Sequence, residues 1–264
     1  MIGDWLSETK RVKSKYKKFN IYDLTEDENK RDENLEKYLA EQMFIHLGYP
    51  NKMKRIYGNQ DSSMLKEHIY EKYLPPEGAN LKQSTWAEIV SADILEKIKS
   101  HILPIYKLRF RDKNNMAMRG EADIVSCKIE GEKPTLIFTE VKSRRTYKKK
   151  VGVEAYEGVV KNNKENPDIV NFVSNCLERE NNYELMELFD NALLDPKSYN
   201  KDFEIFIVIE KNVYKPDILD ALDEEDINLP NLNLNLLLID SMKDLFENTY
   251  NQVGNVAEDF VYDK

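Results

Sequence analysis

The sequence predicts an α/β protein in which a mixed β-sheet is flanked by helices. Four apolar runs have the length and composition of buried strands, and turn residues or helical stretches separate them. A long helix with apolar faces precedes these runs. Helices and strands alternate along the second half of the chain, and this alternation is typical of the α/β class.

The elements of this core follow from periodicity and from breakers. Ser84 or Thr85 can cap the helix in "STWAEIVSADILEKIKSHILP", and Pro104 ends it. The stretch "IYKLRFR" alternates apolar and basic residues, which predicts a strand with one cationic face. Further strands are predicted at "EADIVSCKI", "TLIFTEVK", "FEIFIVIEK" and "LNLNLLLID". Further helices are predicted at "GVEAYEGVVKNN", "PDIVNFVSNCLERENNYELMELFDNALL", "PDILDAL" and "SMKDLFENTYNQV".

The N-terminal part of the chain is predicted to be helical and to lie outside this core. Residues 1–33 alternate basic and acidic clusters with few aliphatic residues, which indicates a loosely packed arm or peripheral helices. The segment "DENLEKYLAEQMFIHLGYP" has apolar residues at helical spacing. The prolines and glycine of "YLPPEGANLKQ" interrupt regular structure. We therefore predict a helical region over residues 1–80 and a second domain over residues 81–264.

Composition restricts the class of protein. With 264 residues, 41% hydrophobic and 33% charged, the chain has the profile of a soluble globular protein. It contains neither a signal-peptide pattern nor an apolar run long enough to span a membrane, so we expect a cytoplasmic protein with no membrane partner. Cys127 and Cys176 have no metal-ligand spacing and are predicted to be reduced, buried thiols.

Charged residues interrupt two neighbouring apolar strands. Asp123 lies in the first of them, and Glu140 and Lys142 lie two residues apart in the second, where they share a face. If the strands form a hairpin with Asp123 opposite Glu140, the turn falls between residues 131 and 132. Gly131 lies there, where a tight turn most needs a positive φ angle. The two carboxylates would then stand about 5 Å apart, with an ammonium beside them.

Two carboxylates at that distance repel each other, and a hard divalent cation would relieve the repulsion. Mg²⁺, or Mn²⁺ in its place, binds to one or two carboxylates together with waters and a substrate phosphate. Lys142 can position the attacking water or neutralise charge that builds up on the phosphate. The pattern therefore predicts phosphodiester hydrolysis.

Asp123 followed by Glu140, Val141 and Lys142 resembles the signature of the PD-(D/E)xK nuclease superfamily, with Ala122 where the motif has its proline. The resemblance implies a restriction-endonuclease-like core. It also implies that Asp123, Glu140 and the Val141 carbonyl bind the metal and that Lys142 is catalytic. Glu88, on the preceding helix, matches the position of an additional acidic ligand. Within the superfamily, residues 84–245 are most similar to HamA, the nuclease subunit of Hachiman anti-phage defence, which implies a helicase partner subunit.

Structural explanations compete with each of these assignments. Asp123, Glu140 and Lys142 could form a salt-bridged edge of the sheet, and the same acid–x–lysine triplet occurs in polar segments elsewhere in the chain. Glu88 could instead cap its helix or complement the helix dipole. Glu121 shares the strand face of Asp123 and is predicted to be a solvated strand end.

A basic run follows the predicted catalytic lysine, although the formal net charge of the chain is −9. Residues 141–150 contain six cations and no acid. Lysine and arginine at such a position favour contacts with backbone phosphates, but an ordinary solvated loop would have the same composition. The predicted nucleic-acid-binding residues are Arg144, Arg145, Lys148, Lys149, Lys150 and, on the preceding strand, Arg109 and Arg111.

These observations predict a Mg²⁺- or Mn²⁺-dependent deoxyribonuclease, acting in anti-phage defence with DNA as its substrate and a helicase subunit as its partner. Two alternatives stay open at this point. The first is a repair or recombination nuclease with the same site and a different DNA substrate. The second is an interaction module on a nuclease fold that no longer cuts, although the joint presence of two acids and a lysine argues against such decay.

Overall fold

The computed structural model describes residues 1–12, 14–76, 78–110, 122–164 and 166–263. Six strands form one mixed sheet in the order β1-β2-β6-β5-β4-β3, which confirms the predicted α/β class. The two outer pairs, β1–β2 and β3–β4, are antiparallel, whereas the inner strands β2, β6, β5 and β4 run parallel. The strands are β1 Leu6–Lys10, β2 Asn20–Glu26, β3 Ile124–Lys128, β4 Thr135–Arg144, β5 Asn200–Glu210 and β6 Leu232–Ile239.

Helices cover both faces of the sheet and create two hydrophobic cores. The first core contains buried residues of α1 to α5 and α10, and the second contains buried residues of α6 to α9. The helices are α1 Ile2–Trp5, α2 Glu33–Leu47, α3 Pro50–Tyr57, α4 Ser62–Lys72, α5 Ala79–Lys97, α6 Val151–Lys164, α7 Asn166–Arg179, α8 Tyr183–Leu194, α9 Asp217–Asp223 and α10 Met242–Tyr262. None of them, within the described residues, combines the length and the apolarity needed to cross a bilayer.

The N-terminal residues contribute strands to the sheet, so the expectation of a loose arm or peripheral helices over residues 1–33 is wrong. Strand β2 lies inside the sheet, between β1 and β6, and its Ile21 and Leu24 are buried in opposite cores. The abundant charges hid this pattern because they pair with each other, as in the Arg11–Asp23 ion pair at 2.5 Å. Strands from before and after residue 80 therefore belong to one sheet.

Two local predictions around the central helix are also corrected. Helix α5 begins at Ala79, directly after the Pro-Pro-containing turn, rather than at Ser84 or Thr85. The stretch predicted as a strand at 105–111 contains instead a short 3₁₀-helix, Lys107–Phe110. The alternation failed there because both basic side chains point into the protein: Lys107 donates to the Ala122 carbonyl, and Arg109 donates to the Ile45 carbonyl.

The predicted hairpin and its register are confirmed. Ile124 pairs with Thr139, and the same register continued by one residue places Asp123 opposite Glu140. Gly131 has φ +79°, the left-handed conformation that the turn requires. Both cysteines are buried and form no disulfide, as predicted. Asp123 and Glu140 therefore lie opposite each other at one end of the sheet.

Candidate active site

The charged residues converge where β3 begins and β4 approaches its end, between helices α5 and α6. Asp123 immediately precedes β3, whereas Glu140, Val141 and Lys142 lie within β4. Glu88 lies on α5 and lines, together with Asp123 and Lys142, a cleft of about 520 Å³. These four elements thus bring Glu88, Asp123, Val141 and Lys142 to one cleft, and Glu140 is paired with Lys142 beside it.

The side chain of Asp123, rather than the backbone of Ala122, pairs with Val141 beyond the start of β3. Its Oδ2 accepts a hydrogen bond from the Val141 N–H at 2.8 Å, where a continued strand would present Ala122. The carbonyl of Ala122 accepts instead from the buried ammonium of Lys107. Burial, and then the charge of Glu140, raise the pKa of Asp123 to about 6, against the opposing effects of the Val141 hydrogen bond and Lys142. The two carboxylates are therefore close enough to repel each other.

Glu140 and Lys142 form an ion pair at the floor of the cleft. The Lys142 ammonium lies 2.5 Å from Glu140 Oε1, and the side chains are 26% and 9% exposed. Burial acts to lower the pKa of Lys142, but the charge and hydrogen bond of Glu140 outweigh it and hold that pKa above its usual value. Lys142 is therefore a cation at neutral pH, suited to stabilising negative charge rather than to accepting a proton.

Helix α6 closes the site behind Glu140, and sequence reasoning missed its contribution. Asn162 is 1% exposed and donates from Nδ2 to Glu140 Oε2 at 3.2 Å. One turn earlier, Gly158 lies against the same carboxylate. A glycine and an asparagine four residues apart inside a helix were the available signal, because both residue types disfavour helix interiors.

Glu88 lies in the interior of α5 rather than near its start. The helix begins nine residues earlier, at Ala79, so neither the capping explanation nor the dipole explanation of Glu88 applies. Its side chain is half-buried and also faces a smaller cavity that His46, Lys107 and Asp123 help to line. The structure therefore brings Glu88 to the same cleft as Asp123.

The donor set fits a hard divalent cation with few protein ligands. Across the described parts of the chain, no group of three or more His, Cys, Asp and Glu side chains is placed to hold a metal ion. Two repelling carboxylates and a strand-end carbonyl are nevertheless what Mg²⁺ requires when waters and substrate phosphate complete its shell. Each carboxylate oxygen has a second lone pair beyond the hydrogen bonds described above. Asp123, Glu140 and the Val141 carbonyl are therefore the residues that would hold the ion.

Three of the predicted phosphate-binding cations, Arg144, Arg145 and Lys148, lie at the mouth of the cleft or in the cleft beside it, and each is engaged by the protein itself. Glu154 of α6 pairs with Arg144 at 3.0 Å and with Lys148 at 2.5 Å. Arg145 donates to Gln83 Oε1 at 2.8 Å. Arg144, Arg145 and Lys148 also line a second cleft of about 510 Å³ that adjoins the first through Ser84, Ser143 and Arg144, whereas Lys149 and Lys150 are exposed. The mouth therefore carries paired and exposed cations side by side.

Arg109, one of the two predicted cations that precede β3, makes its contacts inside the protein. The Arg109 guanidinium bonds to the Ile45 carbonyl, packs 4.4 Å from the ring centroid of Tyr106 and lies 3.6 Å from Glu180. These three contacts hold the Arg109 guanidinium within the protein, and its assignment to DNA binding stays a prediction. Arg111 and Glu121 lie outside the described residues.

Comparison with known proteins assigns the chain to a family. A sequence profile of the HamA family matches residues 1–253 and therefore includes the N-terminal strands that the resemblance over residues 84–245 left out. No curated protein matches the chain. The HamA family supplies a component of the multi-subunit Hachiman defence system. Because the profile covers nearly the whole sequence, the chain belongs to the HamA family of Hachiman defence components.

Proposed function

We propose that this HamA chain is a Mg²⁺- or Mn²⁺-dependent nuclease that hydrolyses phosphodiester bonds in DNA. The observation that carries the proposal is the convergence of Asp123, Glu140 and Lys142 in one cleft, with a register that places the two carboxylates opposite each other. The fold is consistent with the PD-(D/E)xK superfamily, in which such a triad has this activity. In a Hachiman component, the cleavage of invading DNA would be the defensive act.

The chain's own residues divide the chemistry among themselves. A bound divalent ion would polarise the phosphate and acidify a water. Asp123 and Glu140 supply the anionic oxygens that hold the ion, and the buried backbone of β4 fixes the Val141 carbonyl beside them. Lys142 is protonated and partly exposed to the cleft, so its ammonium can balance the charge that builds up on the phosphate in the transition state.

The cleft mouth supports a substrate that is a charged polymer rather than a small phosphate ester. Two adjoining clefts of about 520 and 510 Å³ share a wall, and five cations of the predicted set line them or follow directly in the loop. Contacts from lysine and arginine to backbone phosphates carry no base information, so we infer cleavage without strict sequence specificity. We also propose that a helicase subunit of the same system delivers the DNA in the cytoplasm.

The test is cleavage of linear and supercoiled DNA by the purified chain in Mg²⁺ or Mn²⁺, with and without the partner subunit. EDTA, Asp123→Asn and Glu140→Gln are each expected to abolish cutting. Glu178→Gln, which removes an exposed carboxylate on α7, is the matched control and is expected to leave cutting unchanged. If the wild-type chain cuts neither alone nor with its partner, the non-cleaving interaction module becomes the better account.

A further inference from the structure

The carboxylate of Glu140 is held from two directions. Glu140 is 6% exposed, and its side chain leaves β4 towards helix α6. Lys142 contacts Oε1 at 2.5 Å, and the Asn162 amide donates to Oε2 at 3.2 Å. A glutamate side chain has three torsions, and hydrogen bonds to both oxygens fix the last of them. The orientation of the carboxylate is therefore determined by the protein before any ligand binds.

Gly158 provides the space in which this carboxylate lies. A Cβ atom built on Gly158 would stand 2.6 Å from the carboxyl carbon of Glu140 and 2.7 Å from Oε1, closer than real contacts allow. The backbone of Gly158 is helical, so its role here is the close approach rather than a left-handed conformation. Positions 158 and 162 are four residues apart and share one face of α6. That face forms a cradle: Gly158 makes room for the carboxylate, and Asn162 bonds to it.

Packing of α6 alone does not explain the cradle. An interior glycine weakens a helix by about 1 kcal/mol relative to alanine, and asparagine is also a poor helix former. The rest of the buried face of α6 carries apolar residues such as Val151, Ala155 and Val159, which pack in the second core. Gly152, near the start of α6, lies against Leu222 and Ile207, whereas Gly158 and Asn162 are the two residues of the helix that meet the Glu140 carboxylate.

We propose that Gly158 and Asn162 are positioning residues that orient the Glu140 carboxylate towards the divalent ion. The inference rests on the proposed metal-dependent function and extends it to two residues outside the nuclease motif. Partners of metal ligands commonly change metal affinity by about 10- to 100-fold when they are removed. Neither residue touches substrate, so their effect passes through Glu140.

The experiment measures Mn²⁺ binding directly, from the electron paramagnetic resonance signal of the unbound ion, without DNA. Asn162→Ala and Gly158→Ala are each expected to raise the Mn²⁺ dissociation constant about 10- to 100-fold. Asn163→Ala and Gly152→Ala are the matched controls on the same helix. A Cβ on Gly152 meets its nearest atom, Leu222 Cβ, at 3.4 Å, so alanine fits there. Both controls are expected to bind Mn²⁺ like the wild-type chain.

Thermal unfolding in EDTA separates positioning from folding. Positioning predicts that Asn162→Ala loses Mn²⁺ affinity while its melting temperature in EDTA stays close to that of Asn163→Ala. A lower melting temperature with unchanged Mn²⁺ affinity would overturn the inference and leave the proposed function intact. If Gly158→Ala does not fold, Asn162→Ala decides alone. If the wild-type chain binds no Mn²⁺, the metal site and the inference both fall.

Discussion

The sheet buries two carboxylate–lysine clusters, and only one of them has the features of an active site. In the first, Glu140 and Lys142 of β4 are 2.5 Å apart. In the second, Glu204 of β5 is 4% exposed and its Oε2 lies 3.8 Å from the Lys99 ammonium. The two clusters use the same pair of residue types, and their glutamates lie on the neighbouring strands β4 and β5. Burial of an acid with a lysine therefore does not by itself define a functional site.

The clusters differ in how the carboxylate and the lysine are engaged. Glu204 accepts hydrogen bonds from the amides of Asn233 and Asn235, and Lys99 also pairs with Glu8 at 2.9 Å. The Lys99 ammonium lies 3.8 Å from the ring centroid of Tyr22, and its side chain is only 7% exposed. The carboxylate of Glu204 and the ammonium of Lys99 are therefore both bound by other groups of the protein.

In the first cluster, Lys142 and the neighbouring Asp123 line a cleft. Lys142 is 26% exposed, and a second carboxylate, Asp123, lies opposite Glu140; none of the ion pairs formed within the described ranges includes Asp123. Both clusters hold two carboxylates and one lysine, but only the first borders open space through which a cation could reach the carboxylates. Access to solvent is therefore the feature that separates the candidate site from the buried structural cluster.

The largest expected difference follows from removing each lysine. Lys142→Met is expected to lower the cleavage rate about 10²- to 10³-fold, as the loss of one group that stabilises transition-state charge commonly does. Lys99→Met is expected to destabilise the fold by about 3 kcal/mol, because it leaves Glu204 buried without its cation. Cleavage assays and urea unfolding on both variants measure the two effects.

If the two clusters have different roles, Lys99→Met should not lose cleavage activity and Lys142→Met should not lose much stability. The folded fraction of Lys99→Met is expected to cut DNA within about twofold of the wild-type rate. The free energy of unfolding of Lys142→Met is expected to lie within about 1 kcal/mol of the wild-type value. A Lys99→Met chain that is stable but inactive would contradict the division of roles.

A smaller effect, on DNA affinity, is expected at the mouth of the cleft, where the ion pairs are partly exposed rather than buried. Glu154 and Arg144 are each 30% exposed, so an approaching phosphate can replace the Glu154 carboxylate as the partner of Arg144 and Lys148. Glu154→Gln is expected to tighten DNA binding about 3- to 10-fold at low salt. In this variant, Arg144 and Lys148 no longer have to give up an ion pair with Glu154 before they contact a phosphate.

Fluorescence anisotropy with a labelled duplex in EDTA measures this affinity without cleavage. Glu178→Gln changes the net charge by the same amount on an exposed surface of α7 and is expected to leave the dissociation constant within about twofold. The advantage of Glu154→Gln is expected to shrink as salt rises. Equal effects of the two variants would show that net charge, rather than the Glu154 pairs, controls binding.

The sequence predicted those parts of the molecule that depend on local pattern. The β3–β4 register followed from the two acids and Gly131, because a hairpin fixes which residues face each other. The central strands β5 and β6 were evident as apolar runs. The placement of Asp123 opposite Glu140, with Lys142 beside them, followed from the same reasoning.

Features that depend on distant partners were not predictable in this way. β2 looked too charged to be an inner strand, yet it pairs with β6, more than 200 residues later. Arg109 looked like an exposed cation, yet its guanidinium bonds to Ile45 of α2. Asn162 stands in a helix that it disfavours, but only the folded chain shows that it bonds to Glu140. Periodicity describes one element at a time, and these contacts join elements.

The smallest effect, a change in the pH dependence of stability, is expected at the sealed cluster. Burial raises the pKa of Glu204 above its usual value of 4.5, against the opposing effects of Lys99 and the two asparagine amides. The folded chain therefore binds this proton more tightly than the unfolded chain. The stabilisation from that proton is complete below the unfolded pKa and is lost as the pH rises through the folded pKa, by about 1.4 kcal/mol per unit of pKa difference.

Glu204→Gln removes this titration, so its free energy of unfolding relative to wild type is expected to increase as the pH rises from about 4 towards neutrality. Urea unfolding at several pH values measures the difference between the two chains. The hydrogen bonds that glutamine makes poorly with Asn233 and Asn235 lower the variant's stability equally at each pH, so the slope is the diagnostic quantity. A difference that stays constant across the range would mean that Glu204 does not carry a raised pKa, and the contrast between a sealed and an open cluster would then rest on geometry alone.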